Sequence, residues 1–405
     1  MSGLANGPLK GIKVLDLSRV LAGPLAGTIL GDLGAEVIKI EHPVRGDDTR
    51  DWGSRVGETE TTYYNCVNRN KRSVTLDLQS KAGGDVAREL AAVCDVVIQN
   101  FKPGGAEQLG LGPAALHAIN PSLVYCSISG YDRRSTESLR LGYDLVVQGE
   151  TGLMAMNGEA GQPPLKFGVA VVDLFTGMYA AQAIMAALIE RGRTGKGRHV
   201  QLALFDCGLT LTSYYGLEAL LQDKDPPRYG NAHPSIVPYG VFNAADGPLV
   251  VTVGTNRQFA SFCKVINRVD LADDPRYRSN LLRAQNRIEL LPEIEAALAT
   301  RTRSDLLQAL SANDIPCGEV LGLAEALKSE RAREMITMQD HPDAGPIHVL
   351  SPPYCFDDDR CRVRLRPPLL GEHTQEILSG LLGKTKDQID ALIDAGVIRA
   401  AHSHG

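Results

Sequence analysis

Short apolar runs alternate with helical segments through the first half of this chain, and that rhythm restricts the fold more than any other feature. Residues 13–17, 36–40, 73–78, 95–99 and 123–128 each read as a strand rich in Val, Ile and Leu. A helix is expected over 21–33, with Pro24 in its first turn, and another over 81–93. Such alternation implies an α/β chain with a parallel, doubly wound sheet and helices on both faces. Ligands in such folds collect at the carboxyl ends of the strands. The residues just after each strand are therefore the ones to inspect.

After these comes a long Ala-rich helix, 174–190, then a Gly-rich basic turn, 191–197, and a strand at 198–204. Asp225-Pro226-Pro227 reads as a linker. The pattern beyond it differs, with strands near 240–243 and 247–253 followed by several helices to about 336. These shifts divide the chain into 1–224, 225–336 and 337–405. A net charge of −6 argues against a general nucleic-acid binder. Eight scattered cysteines without a CxxC pair, and no His/Cys cluster of zinc spacing, point to reduced thiols and no metal. The opening residues lack the apolar core of a leader, and no apolar run reaches about 18 residues. The expectation is a cytoplasmic protein with neither membrane nor nucleic acid as partner.

One carboxylate stands out. In Gly168-Val169-Ala170-Val171-Val172-Asp173-Leu174-Phe175, Asp173 interrupts an apolar run just before the Ala-rich helix. Burying an unpaired carboxylate is costly, so it needs a reason. Asp173 can be the N-cap of a helix starting at Leu174, or a desolvated nucleophile, or both. Asp16 and Asp144, near strand ends, are further carboxylates that could partner it.

Other motifs are less specific. Asn68-Arg69-Asn70-Lys71-Arg72-Ser73 groups cations that could hold phosphates or simply sit in solvent. Asn100-Phe101-Lys102-Pro103-Gly104 follows the fourth strand, where a nucleotide-like group would sit, although a plain βα turn has the same look. His233 lies in the loop Arg228-Tyr229-Gly230-Asn231-Ala232-His233-Pro234. Arg193-Thr194-Gly195-Lys196-Gly197 lacks Walker A spacing and follows a helix. No GxGxxG follows the first strand, and no GxSxG elbow is present.

In order along nearly the whole chain, these motifs resemble class III CoA-transferases of the formyl-CoA transferase and carnitine CoA-transferase type. The likeness rests on Gly11-Ile12-Lys13-Val14-Leu15-Asp16, Ala22-Gly23-Pro24, the 33–41 stretch, Asn70-Lys71-Arg72-Ser73, Asn100-Phe101-Lys102-Pro103-Gly104, Tyr143-Asp144, the Asp173 stretch, Thr194-Gly195-Lys196-Gly197 and Leu370-Gly371-Glu372-His373-Thr374.

The resemblance implies that Asp173 is the catalytic nucleophile, passing through an acyl anhydride and an aspartyl-CoA thioester. It implies that Lys71, Arg72, Ser73, Asn100, Phe101 and Lys102 line a CoA site, and that Tyr143 lies near the reacting carbonyl. CoA thioesters are then substrates, and no cofactor is tightly bound. It also implies an interlocked homodimer with active sites at the subunit interface, a large Rossmann-like domain built from both termini, and a smaller domain between. Three departures from the formyl-CoA transferase pattern appear: Leu21 in place of a glutamine, no glycine-rich lid, and Asp132-Arg133-Arg134-Ser135 after Gly130. The loop from Arg228 to His233 looks like that of members using succinyl-CoA with dicarboxylic acids, with its cation available for a remote carboxylate. Racemisation of α-methylacyl-CoA is the alternative within the superfamily. Those racemases carry a histidine where this chain has Tyr143, and a tyrosine is a poor base at neutral pH.

Overall fold

A computed structural model describes residues 7–399. The leader-free reading of the first six residues lies outside them. Six strands form an all-parallel sheet: β1 (Lys13–Asp16), β2 (Glu36–Glu41), β3 (Lys71–Thr75), β4 (Val96–Gln99), β5 (Val124–Ser129) and β6 (His199–Ala203). Their order is β3-β2-β1-β4-β5-β6, so the winding reverses between β1 and β4. The third strand starts two residues earlier than expected and ends at Thr75, because its pairing with β2 runs from Val37 opposite Lys71 to Glu41 opposite Thr75.

Helices α1 (Ala22–Asp32), α2 (Thr62–Cys66), α3 (Lys81–Val93), α4 (Gly105–Gln108), α5 (Pro113–Ile119), α6 (Asp144–Glu150), α7 (Leu153–Met156), α8 (Val171–Thr194), α9 (Leu204–Leu211) and α10 (Ser213–Gln222) complete this half of the chain. One sheet face packs Leu15, Ile38, Val74, Val97 and Tyr125 against Leu90 of α3 and Leu116 of α5. Ile377, Leu378 and Ile389, from helices Thr374–Gly380 and Lys386–Asp394, join the same core. The C-terminal segment thus returns to the first sheet.

The other face is covered by α1 and α8, which meet through glycine: a Cβ on Gly177 would fall 2.6 Å from the Ala22 carbonyl oxygen. By length and composition α8 is long and apolar enough to cross a membrane, although its apolar run is broken by charged residues. Its Val172, Ala180, Ala181 and Ile184 are instead buried within the protein.

Two compact units emerge. Among the described residues, one takes in those up to Leu153, Lys166–Gly216, and those from Arg331 on; the other joins Met154–Leu165 to Leu217–Glu330. The boundaries therefore fall short of the expected 224 and 336, and a separate segment crosses over. Arg228 shows why: its guanidinium donates to the carbonyls of Ala155, Gln162 and Pro163, fastening that segment to its own unit. The second unit holds an antiparallel sheet of β7 (Tyr239–Ala244), β8 (Gly247–Thr252) and β9 (Cys317–Glu319) over a core containing Phe262, Leu290 and Leu306. All eight cysteines are free.

Candidate active site

A cavity of about 560 Å³ opens in the first unit at the carboxyl end of the parallel sheet. Its walls are the segments after β1 (Arg19, Val20, Leu21), β2 (His42, Arg45, Asp47), β3 (Leu78, Gln79) and β4 (Asn100, Phe101, Lys102). Tyr143 and Asp173 close it. This is where a doubly wound sheet gathers its ligands, flanking the point at which strand order reverses.

Asp173 is the third residue of α8 and not its cap. The helix starts earlier than the sequence pattern indicated because another carboxylate caps it. Asp144 Oδ1 accepts from the backbone N–H of Val172 at 2.8 Å and of Asp173 at 3.2 Å. Gln148 Nε2 donates to Asp144 Oδ2 at 2.6 Å and fixes that carboxylate. The carboxylate of Asp173 is left without a hydrogen bond from any described residue, half-buried and facing the cavity. Burial, with the nearby charge of Asp144 adding to it, pushes Asp173 up to about 7. An ionisable group so displaced, in a cleft, is a mark of a reactive site. In its anionic form this oxygen is short of hydration and unencumbered by donors, which suits a nucleophile.

One aromatic residue that sequence reasoning did not single out lies near it. Burial, then the charge of Asp173, raises the Tyr63 phenol to about 12, so it stays protonated at neutral pH. Its ring meets Trp52 edge-on, with centroids 5.5 Å apart. No local signal distinguished Tyr63, which stands in a polar stretch that only the fold brings to Asp173.

The residues proposed to line a CoA site separate into two groups. Asn100, Phe101 and Lys102 are at the cavity. Asn100 uses its amide on the protein: Oδ1 accepts from the Arg19 N–H at 2.9 Å and Nδ2 donates to the Arg19 carbonyl at 2.7 Å. Phe101 is partly packed into the core, whereas Lys102 is exposed and has no partner among the described residues.

Lys71, Arg72 and Ser73 are not among the residues lining this cavity. Lys71 is fully buried, and its ammonium is consumed by Asp16 at 2.9 Å, the Pro24 carbonyl at 2.7 Å and Asn68 at 3.1 Å. Ser73 is held by Glu41 and the Gly371 N–H. Arg72 turns to Glu36 and Glu376. Tyr143, just before α6, is exposed at the cavity. Arg228 and His233 belong to the other unit. Arg228 is engaged by the three carbonyls already named, and His233 Nδ1 accepts from the Ser235 and Ile236 N–H groups.

Comparison with known proteins gives the family. A model of the family described as CoA-transferase family III matches residues 9–374. The chain belongs to CoA-transferase family III. It is 40% identical over 393 residues to the succinyl-CoA:glutarate CoA-transferase of Mus musculus, covering 96% of this chain and 90% of that one. It is 39% identical over 382 residues to the succinate–glutarate CoA-transferase of Agrobacterium fabrum, covering 92% and 96%. A CAIB/BAIF family protein from Brucella suis has the same fold, with a TM-score of 0.82, 39% identity, and coverage of 93% of this chain and 100% of that one. As a member, this chain is a CoA-transferase, and its substrates are thioesters of CoA.

Proposed function

We propose that this enzyme moves CoA from succinyl-CoA to a free dicarboxylic acid of glutarate's size. The observation that carries the mechanism is the unbonded, desolvated carboxylate of Asp173 on the cavity wall. The succinyl-CoA:glutarate and succinate–glutarate relatives support the substrate class.

The chemistry follows from that oxygen. Asp173 attacks the thioester carbonyl, the C–S bond breaks, and CoA leaves as thiolate from a mixed anhydride. The thiolate attacks the aspartyl carbonyl of that anhydride, releasing succinate and leaving CoA on Asp173 as a thioester. The acceptor carboxylate then repeats the two steps in reverse and departs as the new CoA ester. No water enters any step, so hydrolysis and transfer differ only in what reaches the acyl group. A site that strips water from Asp173 therefore serves selectivity as well as rate. Arg45 and Lys102, cations of the wall without an anionic partner among the described residues, supply charge for the phosphates of CoA.

We infer further that the enzyme works as a cytoplasmic homodimer with its sites at the subunit interface. Helix α10 supports this: it has no buried residue, and Leu217, Leu220 and Leu221 stand exposed on it. Light scattering giving a single-chain mass would remove the dimer.

The decisive experiment mixes the protein with succinyl-CoA, without acceptor, and traps with hydroxylamine. A hydroxamate on Asp173, seen by mass spectrometry, is the expected result. Asp173→Ala should lose transfer by at least about a thousandfold while still binding CoA. Transfer that survives this change would overturn the reading.

A further inference from the structure

The β1–α1 loop contains the most strained backbone near Asp173. Val20 has φ of 73°, a left-handed conformation that a β-branched side chain rarely adopts. Such strain persists only where the surroundings over-determine it, and here nearly every neighbouring peptide is tied. The Leu17 N–H donates to the Ile98 carbonyl at 2.8 Å. The Ser18 N–H donates to Asp16 Oδ1 at 3.0 Å, and the Ser18 carbonyl accepts from Lys39 Nζ at 3.0 Å. Asn100 grips the Arg19 peptide group on both sides. Asp47 Oδ1 accepts from the Val20 N–H at 3.3 Å. The loop then runs into α1, whose Ala22 carbonyl abuts Gly177, one turn along the same face of α8 from Asp173.

Three strand ends thus cooperate to hold a loop that Val20 alone would not choose, and that loop forms the cavity wall beside Asp173. We propose that Val20, locked by Asn100 and Asp47, is a positioning residue: it keeps this wall in the one shape that sets the thioester carbonyl for attack by Asp173. Asn100 acts through this lock rather than as a ligand of CoA. The inference rests on the reading of Asp173 as the nucleophile.

The role predicts an effect on the chemical step more than on binding. Glycine relieves the strain at Val20 and frees the loop. Val20→Gly should therefore fold with a melting temperature equal to or above that of the parent protein. Its single-turnover formation of the enzyme–CoA thioester from succinyl-CoA, followed by intact mass, should slow by about tenfold or more. Its KM for succinyl-CoA should stay within about threefold. Asn100→Asp keeps the acceptor for the Arg19 N–H and loses the donor to its carbonyl. It measures the same lock without touching Val20 and should give a smaller loss in the same rate, whatever the folding of Val20→Gly. Parent-like rates in either folded variant would overturn the proposal. So would a raised KM with an unchanged rate, which is the signature of a lost CoA contact. Should the parent protein form no thioester at all, the reading of Asp173 fails instead, and the two failures are thereby told apart.

Discussion

Two sets of carboxylates within one unit meet opposite fates. Asp16, Glu41 and Asp47, the last two at the cavity's inner lining, are almost completely buried, yet each faces a cation: Lys71 at 2.9 Å, Arg50 at 2.7 Å and Lys39 at 2.8 Å. Burial pushes Asp16 upward, but Lys71 and Lys39 outweigh it and hold the group below its ordinary range. Glu41 behaves the same way, with Arg50 overcoming burial. On the cavity wall, Asp173 is less buried but has neither cation nor donor, and it rises to about 7. Partners, more than depth, decide whether a carboxylate is a fixture of the fold or a reagent.

The comparison can be broken most severely from the paired side. Lys71→Met takes from buried Asp16 its direct ion-pair partner and leaves it only Ser18 and the charge of Lys39, at a cost of about 3–5 kcal/mol. The expected loss in melting temperature is ~10 °C, read by calorimetry. A mere degree or two would mean that the pair carries little of the fold.

The unpaired side shows itself in the pH dependence of kcat/KM. Only ionised Asp173 attacks, so the rate should rise with pH through about 7 and then level off. The gain from about pH 6 to about pH 8 is roughly tenfold. A profile flat across that range would place the ionisation elsewhere.

The third expectation sets the wall cation against the strand cation. Lys102→Ala should raise KM for succinyl-CoA by about three- to tenfold with little change in kcat. Arg72→Ala should leave KM unchanged, because its guanidinium faces Glu36 and Glu376 away from the cavity. Equal effects would return CoA to the site that the family resemblance suggested.

The smallest effect concerns stability. Asp173 binds its proton more tightly when folded, with its pKa raised from 3.8 to about 7. Its charge therefore weakens the fold increasingly as pH climbs through that window, and the penalty is constant above it. Asp173→Asn removes the penalty. Its melting temperature should exceed the parent's by ~2–4 °C at about pH 8 and by less at about pH 5. No gain at the higher pH would mean that the carboxylate is better solvated than its setting indicates.

The order of apolar runs and helices was enough to determine the parallel sheet, its two covered faces and the end at which a ligand belongs. The reason is that strand burial and helix periodicity are local properties of the chain. The lone carboxylate in an apolar run likewise marked Asp173. Tertiary structure alone decided what that carboxylate is. Asp144 caps α8 from a different helix, and only that frees Asp173 from the capping role its own neighbours allowed. The same limit applies to the cations. Lys71 and Lys102 look alike in sequence, but Lys71 is drawn under α1 by Asp16, 55 residues away, whereas Lys102 stands open beside the cavity. Partners brought together across such distances leave no local trace. The availability of a charge to a substrate is therefore settled by the packed chain, while its presence is settled by the sequence.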